Sequence, residues 1–181
     1  MVRIAFIVSL LALGLFTTMP GGALPRAAAQ EATPAIACPV TTDAEQEAVA
    51  RRWFDDALNG ADLAVLDEML SPEFTYHVGA ITEMNAGELA DVVLGPILIG
   101  FPDVEYTIDQ AFTGDDVVTL IWSAEGTQTG PFQGYAPSGK GATWTGINVY
   151  RFECGRVAAV WAEFDALGRL RQMGAVATPT P

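Results

Sequence analysis

Histidine occurs once in the 181 residues, at position 77, and cysteine twice, at 38 and 154. Neither CxxC nor HExxH spacing is present, so the ligand patterns of common zinc sites are missing. Basic residues are also scarce: 9 Lys and Arg stand against 22 Asp and Glu, a net charge of −13. A surface of that sign repels nucleic acid and anionic lipid, which argues against a polyanionic partner. No apolar run reaches the roughly 20 residues that cross a bilayer as a helix. There is no internal repeat. Lys140 is followed by Gly141, so the Gly-Lys-Ser/Thr run of a phosphate loop is lacking.

What is present begins with a leader. Arg3 is followed by an apolar run of 13 residues, Ile4 to Phe16, and then by the small residues Ala27, Ala28 and Ala29. This is the layout of a secretory signal peptide over 1–29, cleaved after Ala29; an uncleaved anchor is the alternative. Arg3 and Arg26 lie in that leader, so its removal leaves 7 basic and 22 acidic residues and a net charge of −15. The mature protein is then expected to be secreted or held in the cell envelope, with no membrane association after cleavage. Export permits a Cys38–Cys154 disulfide, with two free thiols as the alternative. Residues 30–38 and 175–181, rich in Ala, Thr and Pro, are expected to be a disordered linker and tail, leaving one domain over 39–174.

The first half of that domain carries helical signals. Thr42-Asp43-Ala44-Glu45 is a capping box. Ala50, Trp53, Phe54, Ala57 and Leu58 then recur at the spacing of one helix face, ended by Asn59-Gly60. Asp62 caps a second helix carrying Leu63, Leu66 and Leu70, and Pro72 follows it. Phe74 to Val78 reads as a strand. Asn85 to Glu88 caps a third helix reaching Leu94, where Gly95-Pro96 interrupts the pattern. The second half is strand-like: 104–112, 117–128, 142–153 and 156–165, separated by a Gly114-Asp115-Asp116 turn, a Gly/Pro-rich loop over 129–141 and a Cys154-Gly155 turn. Three helices followed by long antiparallel strands predict an α+β fold, with a strongly curved, mostly antiparallel sheet packed on the helices around a pocket.

Three stretches carry a family likeness. The first joins Trp53-Phe54, Asn59-Gly60-Ala61-Asp62 and Phe74-Thr75-Tyr76-His77. The second joins Gly126-Thr127-Gln128-Thr129-Gly130-Pro131-Phe132-Gln133-Gly134 to Pro137-Ser138-Gly139-Lys140. The third joins Gly146-Ile147, Arg151-Phe152, Gly155-Arg156-Val157, Trp161, Asp165 and Leu167-Gly168. In order and spacing they resemble the SnoaL-like polyketide cyclases, also called ester cyclases, of the nuclear transport factor two-like superfamily. The resemblance implies a cone-shaped fold with a deep apolar pocket for a small hydrophobic ligand. It also implies aldol-type cyclisation or isomerisation without metal or organic cofactor, with Asp165 at the position of the general acid/base. Two positions depart from the pattern: the family's motif histidine is Gln128, and its Glu-His pair is Ala159-Val160. Glutamine keeps a hydrogen bond but does not titrate.

Strand periodicity puts Trp161, Glu163 and Asp165 on one face and Val160, Ala162 and Phe164 on the other. If the acidic face lines the pocket, two carboxyls about 7 Å apart face the ligand, and burial raises their pKa toward the working range of a general acid/base. The alternative leaves Glu163 in water and Asp165 capping the following turn. His77 is a second acid/base candidate. Tyr76, Trp122, Gln128, Trp144, Trp161 and Glu163 are candidate ligand contacts, joined by Phe101 among the aromatics and by the hydroxyls of Tyr106 and Tyr150. The 129–141 loop is a candidate lid. The readings that follow are a cofactor-free enzyme, a non-catalytic small-molecule-binding module, and a homodimerisation domain that uses the outer sheet face.

Overall fold

The computed structural model describes residues 38–79 and 82–177. The predicted leader, residues 30–37 of the linker and the last four residues of the tail lie outside that range. Helix α1, Asp43–Arg52, continues as a π-helical segment, Trp53–Asn59. There follow α2 (Val65–Met69), β1 (Leu70–Val78) and β2 (Thr82–Met84). Helix α3 (Ala86–Leu89) leads through a π-helical turn, Ala90–Leu94, into α4 (Gly95–Gly100). Strands β3 (Glu105–Gly114), β4 (Val117–Thr127), β5 (Gly141–Glu153) and β6 (Arg156–Phe164) come next, and α5 (Ala166–Met173) closes the fold. The six strands form one mixed sheet in the order β2-β1-β6-β5-β4-β3. Its one parallel pairing joins β1 to β6.

Local chemistry accounts for the helix starts. The Thr42 hydroxyl accepts from Glu45 N–H at 3.3 Å, and the Glu45 carboxylate accepts from Thr42 N–H at 2.8 Å. Asn85 and Glu88 close the same reciprocal pair at 3.0 and 2.9 Å. Both satisfy first-turn donors that the helix itself leaves free. The helical path does not stop at Gly95-Pro96 as the sequence suggests. Gly95 N–H reaches Ala90 O in a π-type bond, and the widened turn seats Pro96 in the first turn of α4, where a missing N–H costs nothing. Strand β2 and helix α5 carry no sequence signal recognised above.

Cys38 and Cys154 are joined in a disulfide, which ties the segment before α1 to the β5–β6 turn. In the β3–β4 turn Asp115 and Asp116 both take positive φ, 53° and 59°. The buried Gln46 of α1 donates to the Asp116 carboxylate at 2.7 Å, pinning that turn to the helix. Ala175 is packed against the core, and its N–H bonds Leu170 O at 2.9 Å, so the first residue of the expected tail belongs to the folded body. Among the described residues no helix is long and apolar enough to cross a membrane.

The sheet curves over the helices with its inward face built from Val118, Leu120, Trp122 and Ala124 of β4, Ala142, Trp144, Asn148 and Tyr150 of β5, and Val160 and Ala162 of β6. Trp53, Phe54, Ala57 and Leu58 meet them from below. This is the α+β architecture expected.

Candidate ligand-binding site

A cavity of about 300 Å³ remains between sheet and helices. Its floor is Trp53, Phe54 and Leu58 of the π-helical segment, and Val92, Val93, Leu94 and Ile97 of the second helical run close one side. The sheet contributes Tyr76, Tyr106, Trp122, Trp144, Asn148 and Phe164, and the 129–140 loop adds Phe132 and Gln133. Arg169 of α5 completes the wall.

The aromatic walls are set against one another. Trp53 stacks on Tyr76 with ring centres 6.0 Å apart, and Tyr106 lies 5.3 Å from Trp122 and 6.1 Å from Trp144. Gly146, paired with Phe164 across the sheet, makes room for the Trp122 indole; a Cβ there would run into that ring. Asn148 is the polar link within the wall. Trp122 Nε1 donates to its Oδ1 at 3.0 Å, and its Nδ2 donates to the Tyr150 hydroxyl at 3.0 Å. Asn59, read in the sequence only as a helix terminator, clamps Tyr106. Its amide donates to Tyr106 O at 2.9 Å and accepts from Tyr106 N–H at 2.8 Å, as a neighbouring strand would. Burial pushes the Tyr106 hydroxyl up to about 12 and raises Tyr76 and Tyr150 as well.

Arg169 is the charged group of this wall. It is 4% exposed and lies against the rings of Phe132, Trp144 and Phe164 at 4.8, 5.0 and 5.3 Å. Desolvation lowers its pKa, opposed by the nearby Tyr106 and Asp165. It forms none of the ion pairs found among the described residues, and its Nε has no hydrogen-bond partner. Trp144 Nε1 is buried beside the Tyr106 side chain.

Tyr76, Trp122 and Trp144 therefore lie on the cavity wall, but the proposed acidic pair does not. Trp161 and Glu163 point to the outer face, and Asp165 is exposed. Val160, Ala162 and Phe164 take the inward side instead. The physical reason is the usual one: with one face to be buried, a sheet buries its apolar set and leaves carboxylates in water. Asp165 has left the strand altogether. It is the N-cap of α5, its Oδ1 accepting from Gly168 N–H at 2.8 Å. His77 is on the outer face too, stacked on Trp161 at 5.1 Å, with Thr75 Oγ1 at 3.1 Å and Glu83 at 3.9 Å. Gln128 is fully buried, but its amide is spent on the loop. It donates to Gly130 O and Ala136 O at 2.9 and 3.1 Å and accepts from Ser138 N–H at 2.8 Å. Phe101 is sealed behind the wall, against Phe132 and Trp144.

Sequence reasoning passed over Arg169 and Asn148. Arg169 carried one readable signal, since Arg169, Leu170 and Met173 follow Asp165 at helical spacing before Gly174.

The sequence profile of the SnoaL-like polyketide cyclases matches residues 48–173. The chain belongs to this family. Solved structures agree in fold with this SnoaL-like chain. AclR from Streptomyces galilaeus superposes with a TM-score of 0.70 at 22% identity, covering 77% of this chain and 87% of its own. A SnoaL-like protein from Jannaschia sp. CCS1 gives 0.68 at 21% identity, with coverage of 82% and 100%. TsrD from Streptomyces laurentii gives 0.67 at 25%, with 76% and 100%. No curated protein matches the chain in sequence.

Proposed function

We propose that the protein is an exported member of the SnoaL-like family that binds a small hydrophobic carbonyl compound in the aromatic cavity. The observation that carries this is the cavity itself. About 300 Å³ lies at the lower end of ordinary ligand pockets, and the wall is mainly aromatic and aliphatic with a few converging polar groups. The leader sequence supports export. Family chemistry, an aldol closure assisted by a pocket carboxyl, needs an acidic or imidazole side chain facing the ligand. Among the described residues the lining includes neither Asp, Glu nor His. Asp165 stands outside, so binding accounts for the geometry better than turnover does.

Trp53, Trp122 and Trp144 give the cavity its own fluorescent reporter. Native mass spectrometry of protein recovered from its exporting host is expected to show a bound small molecule, and adding that molecule to stripped protein should quench tryptophan emission saturably. Protein that carries nothing and shows no saturable quenching with any hydrophobic carbonyl compound would overturn the reading.

A further inference from the structure

Among the described residues Arg169 is a buried cation with no carboxylate in ion-pair contact. Its side chain is held between three aromatic rings, its Nε has no acceptor, and it takes part in none of the ion pairs of the described residues. The chain has more than twice as many carboxylates as cations, yet among the described residues none lies within ion-pair distance of this guanidinium, Asp165 acting on it only from farther off. Asp165, four residues earlier, spends Oδ1 on the Gly168 N–H. Burying a charge is unfavourable unless it is paired and hydrogen-bonded. Arg169 lines an apolar cavity whose lining, among the described residues, includes no anionic side chain.

We infer that the ligand is itself an anion: an aromatic or similarly hydrophobic carboxylate, seated with its carboxylate on Arg169. This rests on the binding reading above and sharpens it. A guanidinium presents paired N–H donors that match a carboxylate's two oxygens, and the ring stacking orients that fork before the ligand arrives. The hydrophobic body of the ligand then lies against Trp53, Phe54 and Trp122.

The test compares naphthoate with naphthamide, which share shape and differ in charge, by tryptophan quenching on the full mature protein. Wild-type protein is expected to bind the acid at least about 30-fold more tightly, the scale on which losing one member of a desolvated charge pair is felt. Arg169→Met is expected to remove that preference, bringing the naphthoate and naphthamide affinities to within about threefold of each other. Equal affinities in the wild type, or a preference for the amide, overturn the anion inference while leaving the binding reading standing. Absence of quenching by both probes at about 10 mM, far weaker than ordinary specific affinities, counts against the binding reading and the inference together. If the Arg169→Met protein does not fold, the wild-type comparison decides alone.

Discussion

Replacing Asp165 separates a capping role from a catalytic one. In the structure its carboxylate does two things for α5: it accepts the Gly168 N–H, and it puts negative charge at the helix N-terminus. Asp165→Ala removes both. Loss of an N-cap costs about 1 kcal/mol, and the exposed charge at the dipole adds about 0.5 kcal/mol. Asp165→Asn keeps the cap, since asparagine caps as well as aspartate, and forfeits only the second contribution. With about 140 folded residues and a melting entropy near 2.1 cal/mol/K per residue, Asp165→Ala should lower Tm by about 5 °C and Asp165→Asn by about 2 °C. Ligand affinity of Asp165→Asn should stay within about threefold of wild type below the melting range, because the cap that holds α5, and with it Arg169, is kept. The assays are thermal melting by circular dichroism and tryptophan-quenching titration. Folded Asp165→Asn protein that has lost binding or turnover more than about tenfold would refute the capping account, since 1.4 kcal/mol is far above that allowance.

Three further outcomes follow from the geometry. Asn59→Ala removes two hydrogen bonds to the Tyr106 backbone and should cost about 2 kcal/mol, read from the urea midpoint, with weaker ligand binding because Tyr106 lines the cavity. Replacing Cys38 and Cys154 by Ser opens a disulfide with a sequence separation of 116 and should destabilise by about 5 kcal/mol on the chain-entropy estimate; a loss under about 1 kcal/mol would show that the unfolded chain is already restrained. Tyr106 is held neutral up to about 12, and Tyr76 and Tyr150 are raised in the same direction. Their contribution is whole below the unfolded tyrosine value of about 10 and is lost as pH rises through the folded values, so urea midpoints should fall steadily above about pH 10.

The α+β frame was legible because its signals are local. Both capping boxes, the Asn59-Gly60 stop and the two hairpin turns are each set by a few adjacent residues, and each lies where the pattern put it. The site was harder, because the period of β6 defines two faces but not which of them turns inward. Trp161, Glu163 and Asp165 form as regular a set as Val160, Ala162 and Phe164, and each set includes a large aromatic ring. The sheet resolved this by leaving Trp161 44% exposed against His77. Helix α5 was concealed by Gly168, a poor helix former in its first turn.

That glycine also explains what the Asp-x-x-Gly pair does in this chain. A Cβ at Gly168 would meet the Asp165 carboxylate where it now lies, so the glycine lets the cap close in this close position. The cap fixes one end of α5, and Asp165 N–H bonding Thr145 O at 3.0 Å ties it to β5. Gln172 fixes the other end, donating to Thr143 O at 2.7 Å and accepting from Thr143 N–H at 3.0 Å. Arg169 lies between these anchors. Its backbone is positioned by its neighbours' hydrogen bonds, while its own Nε is left without an acceptor. A folded chain that only needed to fill this corner could do so with an apolar side chain of the same length at no electrostatic cost. A cation held in place by others, stacked among rings and unpaired, is arranged for a partner that comes from outside the protein. The motif that suggested an acid on the cavity wall therefore serves the site by carrying a base's conjugate acid to it.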